Sequence, residues 1–121
     1  MFEVRFYESD DGHKPALEQI CRIKDQKLKA KVFRSLKLLE SFGNQLGWPD
    51  SAPLRDGIFE LRTVHSSNIV RTLYFFQKER TVVVTNSFIK KTQKTPEKEI
   101  ETAIKRRKDY EKKTKRTGYD H

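Results

Sequence analysis

One stretch, Thr81-Val-Val-Val-Thr-Asn-Ser-Phe-Ile-Lys-Lys-Thr-Gln-Lys-Thr-Pro96, constrains the fold of this chain more than any other. From Thr81 to Phe88 most positions are β-branched or aromatic and none is charged. Such a run is stable only where both faces are covered, so it predicts a central strand. It then gives way to Lys90, Lys91 and Lys94, spaced by Thr92, Gln93 and Thr95. Thr95-Pro96-Glu97 has the chemistry of a helix start: Thr as N-cap, Pro at the first helical position, an acid in the first turn. A buried strand and a capped helix therefore hold a cationic loop between them. That arrangement fixes positive charge against a polyanion.

The strands that flank this one are also legible. Gly57 to Val64 and Ile69 to Phe76 are strand-like, and the links His65–Asn68 and Gln77–Arg80 are too short for anything but antiparallel neighbours. With Thr81 to Phe88 they predict a three-stranded meander. Met1 to Tyr7 alternates apolar and charged residues, a half-buried strand with Phe2, Val4 and Phe6 inward. A helix is expected after Pro15, with Leu17, Ile20 and Cys21 on its apolar side. A second carries the stripe Leu28, Val32, Phe33, Leu36, Leu39 and Phe42 and is ended by Gly43-Asn44, with a break near Lys24 to Lys27. Gln45 to Pro53 reads as irregular, with Trp48 either covering the core edge or stacking on a base. Glu97 to Tyr110 is helical, with Ile100, Ala103, Ile104 and Arg107 on one side. The fold class expected is α+β: an antiparallel sheet, the N-terminal strand plus the meander, covered on one face by two helices, with a C-terminal helix. The domain spans residues 1–110, and 111–121, too polar to order themselves, are expected to be a basic tail, either disordered or in contact with phosphates.

Composition limits the partners. The charged fraction, 36%, matches the hydrophobic one, 35%, so the core is small and the surface heavily ionised. The net charge is +9, and from Ser87 onward twelve basic residues face six acidic ones. Nucleic acid, an acidic protein or an anionic surface would each answer that charge. There is no apolar run of membrane-spanning length and no signal-peptide pattern, so a cytoplasmic protein without membrane partner is expected. The lone Cys21 excludes an internal disulfide and reads as a small buried residue. His13, His65 and His121 lack metal-ligand spacing, so neither metal nor cofactor is expected.

Two strand arginines carry chemical information. Arg71 shares a sheet face with Ile69, Leu73 and Phe75, and Arg62 lies in Phe59-Glu-Leu-Arg. A buried guanidinium must be paired or line a cleft, and Glu60 is the available carboxylate. Arg62 and Arg71, with Lys90, Lys91 and Lys94, would make one cationic depression on a sheet face free of helices. Such a depression suits RNA cleavage by the neighbouring 2′-hydroxyl, because preorganised cations stabilise the charge that builds on the phosphorane. Like-charge crowding lowers the pKa of clustered lysines, which equips one of them as general base where no histidine is at hand.

The segments Leu54-Arg-Asp-Gly-Ile-Phe-Glu-Leu-Arg62, Val70-Arg-Thr-Leu-Tyr-Phe75, Val83 to Pro96 and Glu99 to Tyr110 together resemble the HigB-like, phage-derived branch of the RelE/ParE toxin superfamily. The Phe-Lys-Lys-Thr-X-Lys-Thr-Pro pattern carries the resemblance, here with Ile89 inserted after Phe88. The resemblance implies the toxin of a type II toxin–antitoxin system: a metal-independent, ribosome-dependent mRNA endonuclease. It assigns Arg71, Lys90, Lys91 and Arg62 to catalysis. Lys94, Lys98, Lys105, Arg106 and Trp48 are then available for mRNA and the ribosome. The partner implied is a helix-turn-helix, HigA-like antitoxin, in a heterotetrameric complex. The tyrosine or histidine that relatives carry just after the last strand is missing, since Thr92 to Glu97 contain neither. Two alternatives stand beside this reading: a ParE-like gyrase inhibitor, and a non-enzymatic basic module that grips nucleic acid or an acidic partner.

Overall fold

The structure, a computed structural model, describes residues 1–78, 80–90 and 94–117. The described residues form β1 (Glu3–Phe6), α1 (Pro15–Cys21), α2 (Gln26–Phe42), β2 (Ser51–Pro53), β3 (Phe59–His65), β4 (Asn68–Gln77), β5 (Thr81–Ile89) and α3 (Glu97–Thr117). The five strands make one sheet in the order β1-β5-β4-β3-β2. β3, β4 and β5 are the expected meander, with β5 inside the sheet and buried from Val82 to Ser87.

The sheet is mixed, which corrects the expected all-antiparallel arrangement: β1 runs parallel to β5, Glu3 beside Thr81 and Phe6 beside Val84. Alternation of apolar and charged residues fixes which face a side chain takes, but strand direction is set by the connection, which alternation does not report. A second correction is β2. Three residues ending in a proline are tolerated at a sheet edge and give no periodic signal, so the sequence of this strand looks irregular.

The two helical layers take opposite faces. α1 and α2 bury Ala16, Ile20, Leu28, Val32, Leu36 and Leu39 against Leu61, Val70, Tyr74, Val82 and Val84. Each fully buried aliphatic side chain contributes about 1.5–3 kcal/mol. Asp25 caps α2 by accepting from the N–H groups of Lys27 and Leu28, which explains the break between the helices. Phe33 and Phe42 of the expected stripe remain exposed, and so does Cys21 at the end of α1, which is therefore not the buried residue expected.

α3 packs on the other face, where Ala103, Ile104 and Tyr110 meet Tyr7, Ile58, Leu73, Phe75 and Val83. It continues to Thr117, past the boundary expected at Tyr110, so 111–117 are helical; 118–121 lie outside the described residues. Lys113 explains the extension, bonding Asp109 at 2.9 Å, Asp10 at 2.9 Å and the Glu8 carbonyl at 3.0 Å. A single extra residue, Thr85, sits in β5, where Leu73 pairs with Asn86 but Tyr74 pairs with Val84. Among the described residues no helix is long and apolar enough to cross a membrane.

Candidate nucleic-acid interface

The far end of the sheet, beyond the apolar contacts of α3, is organised by Glu60. Its carboxylate, 3% exposed, points from β3 toward the α3 face and gathers three donors. Arg71 Nη1, from β4, donates to Glu60 Oε2 at 2.8 Å; Arg62 Nε lies 3.6 Å from the same oxygen; the Thr95 hydroxyl donates to Oε1. β3 and β4 place Arg62 and Arg71 directly opposite one another, and Phe88 of β5 continues the row. A guanidinium 1% exposed, as Arg71 is, is tolerated only with such a partner.

This geometry answers two expectations. Both arginines pair with Glu60, the carboxylate that the sequence offered. The face they occupy is not free of helices, however: α3 covers it, and the turn before α3 closes over Glu60 through Thr95. The Thr95 hydroxyl is therefore spent on the ion pair rather than on the helix. The Pro96 carbonyl accepts from the N–H of Ile100, so proline, not threonine, holds the N-cap position. Asn86 fastens the first turn of α3 to β5, its amide donating to the carbonyl of Glu99 at 3.2 Å and to Glu99 Oε1 at 2.9 Å.

Exposed cations ring this buried centre. Lys90 directly follows β5, held by its backbone N–H on the Ile69 carbonyl at 3.0 Å, with its side chain in solvent; Lys94 is exposed before α3. Lys91 lies outside the described residues. On the α1 side of the same strand end a cleft of about 270 Å³ is lined by Gln19, Arg22, Ile23, Val70, Ser87, Phe88 and Ile89, the residue before Lys90. Arg22 was not singled out from the sequence. Only its proximity to β5 distinguishes it from the other charges after α1, and that proximity exists only in the fold.

The remaining site residues separate into two groups. Lys98 and Lys105 are exposed on α3. Arg106 is not available: it donates to the carbonyl of the bulge residue Thr85 at 3.0 Å and lies 5.8 Å over the Tyr7 ring, and burial lowers its pKa from the ordinary value. Trp48 does not cover the core; it is 73% exposed, with the Arg62 guanidinium 4.7 Å from its ring centroid. Tyr110 donates to Gln77 and accepts from Arg5, at the opposite end of β4 from Arg71 and of β5 from Lys90. Among the described residues no cluster of three or more His, Cys, Asp or Glu is placed to hold a metal ion.

The family profile described as "Phage derived protein Gp49-like (DUF891)" matches residues 22–108, from the end of α1 through most of α3. The chain belongs to that family. Gp49-like proteins are RelE/HigB-like, toxin-like proteins of phage origin, and the matched span includes Glu60, Arg62, Arg71, Lys90 and Lys94. A search of curated proteins found no match to this Gp49-like chain.

Proposed function

We propose that this Gp49-like protein is the toxin of a HigB-type toxin–antitoxin pair and cleaves mRNA on the ribosome. The observation that carries the reading is the family match over residues 22–108. Lys90, exposed just after β5, and Lys94, exposed before α3, support its nuclease side.

In this mechanism the 2′-hydroxyl attacks the adjacent phosphorus, the 2′-oxygen–phosphorus bond forms, and the phosphorus–5′-oxygen bond breaks. A cyclic phosphate and a 5′-hydroxyl result. The 2′-hydroxyl proton leaves to a base, and the 5′-oxygen takes one from an acid. Lys90 and Lys91 are assigned the charge that builds on the phosphorane and the proton transfers. Arg71, sealed beneath the surface, acts through Glu60 and Arg62 by fixing the strand end. Lys94, Lys98 and Lys105 supply the backbone attraction to RNA. The neutralising partner in this reading is a helix-turn-helix, HigA-like antitoxin in a heterotetramer.

Inducible expression of wild type, Lys90→Ala and Lys91→Ala, with growth followed and a translated reporter mapped by primer extension, tests the proposal. Growth arrest with discrete cuts, weakened about 100-fold or more in the variants, is the expected result. Arrest with intact message and blocked supercoiling would overturn it in favour of gyrase. No arrest would leave a binding module.

A further inference from the structure

Among the described residues no strand pairs with the outer edge of β3 beyond β2, and the Arg62 N–H goes instead to the Asp50 carbonyl at 2.8 Å. There α2 and β3 leave a groove of about 330 Å³, lined among others by Lys31, Arg34, Leu38, Asp50, Arg62 and Val64. The Thr63 hydroxyl, donating to Ser35 Oγ at 2.9 Å, ties the two walls together. Three cations line this groove and one acid opposes them. Trp48 adjoins the groove through two residues that line it, its chain neighbour Pro49 and Arg62, whose guanidinium lies over one ring face; the indole is 73% exposed. Leu38 and Val64, 38% and 51% exposed, leave more apolar surface uncovered beside it.

Neither core packing nor the Arg62 contact accounts for an indole left in water beside a cationic groove. Single-stranded nucleic acid does. Its bases have π-faces that stack on aromatic rings irrespective of sequence, while a cationic groove follows the phosphates. We propose that the Trp48 groove binds single-stranded nucleic acid, with a base on the open face of the indole and phosphates along Lys31, Arg34 and Arg62. Lys31 and Arg34 are one turn apart on α2, so they present two charges along one line. The groove is lined by none of the residues of the cleft below Lys90. It draws on the proposed RNA-cutting reading only for the choice of polymer.

Trp48 is the only tryptophan, so its fluorescence reports this site in the unlabelled full chain. The protein is titrated with oligoadenylate RNA about eight nucleotides long, within the usual site size of single-strand binders. Excitation is at the red edge, where tyrosine does not absorb. The expected result is saturable quenching whose affinity falls with salt, with a log–log slope of about −2 for three phosphates. The double variant Lys31→Ala/Arg34→Ala should weaken it about 10-fold or more while leaving the free protein's spectrum unchanged. Trp48→Ala, followed by anisotropy of labelled RNA, should lose about 10- to 100-fold. A control pair on α3, Lys112→Ala/Lys115→Ala, should change little. The DNA oligomer of the same sequence separates two supporting outcomes: equal binding means the site reads base and phosphate alone, and RNA preference means it also reads the 2′-hydroxyl. Three results would overturn the proposal: no quenching, quenching indifferent to Lys31 and Arg34, or equal quenching by polyglutamate, which would assign the groove to an acidic protein segment. Absence of mRNA cleavage would sink the nuclease reading and leave this titration unaffected.

Discussion

Replacing Glu60 with Ala strands the guanidinium of Arg71, and the cost should be about 3–5 kcal/mol in urea unfolding. Arg71→Ala should cost a similar amount, so loss of growth arrest in that variant means nothing without its unfolding curve. Glu60→Leu combined with Arg71→Met should recover much of the loss, because an apolar pair of similar volume needs no compensation for buried charge. If the double variant is as unstable as the sum of the singles, the ion pair is not the unit described here. This centre was legible in outline: a charge flanked by apolar residues on a strand demands a carboxylate, and Glu60 was the nearest. What the sequence did not disclose is that the same carboxylate also takes Thr95. That contact joins residues 35 positions apart through a turn whose path only the packed helix determines.

At the scale of elements, two junctions carry clear expectations. Gly43 closes α2 with φ +51° and ψ −121°, and a Cβ there would collide with the Phe2 ring. Gly43→Ala should therefore destabilise the protein by about 2–4 kcal/mol in urea unfolding, through backbone strain and displacement of the Phe2 ring. The second junction is the docking of α3 through Tyr7, whose hydroxyl donates to Asp109 at 2.6 Å. Burial first, and the Asp109 bond second, raise the Tyr7 pKa above the ordinary value; burial also raises that of Tyr74. Because both folded-state values lie above the unfolded ones, the stability these groups contribute is complete below about pH 10 and is lost as pH rises through the folded values. Ultraviolet titration should show these two tyrosines ionising late, and Tyr7→Phe should remove its share of the alkaline destabilisation. The start of α3 was readable from Pro96 and Glu97. Its last turns were not, because Lys113 looks like any solvated lysine until Asp10 and Glu8 are brought beside it.

For the whole molecule the sequence established the class of fold and the sign of its charge, and the strands of the meander because each alternates or saturates with β-branched residues. It left open how the layers close. α3 covers the sheet face on which a bare depression had been expected. Arg106, counted among the surface cations, is consumed by a bulge carbonyl that helix periodicity cannot reveal. The net charge is +9, so in the mRNA-cleaving reading proposed above association with RNA or ribosomes should weaken steeply between about 50 and 200 mM salt, measurable by co-sedimentation.

The parallel pairing of β1 with β5 bears on the order in which the chain can become ordered. Phe2, Val4 and Phe6 have no strand to join until Val82 to Val84 exist beside them, and Tyr7 finds Asp109 only 102 residues later. Contacts of such span pay their loop-closure entropy late in folding. The strand that leads into Lys90 therefore lacks one of its two neighbours until β1 is brought back beside it. A chain interrupted during synthesis before β5 has neither a finished sheet nor its cationic edge, so the first strand waits, unpaired, for the segment that gives the sheet its charge.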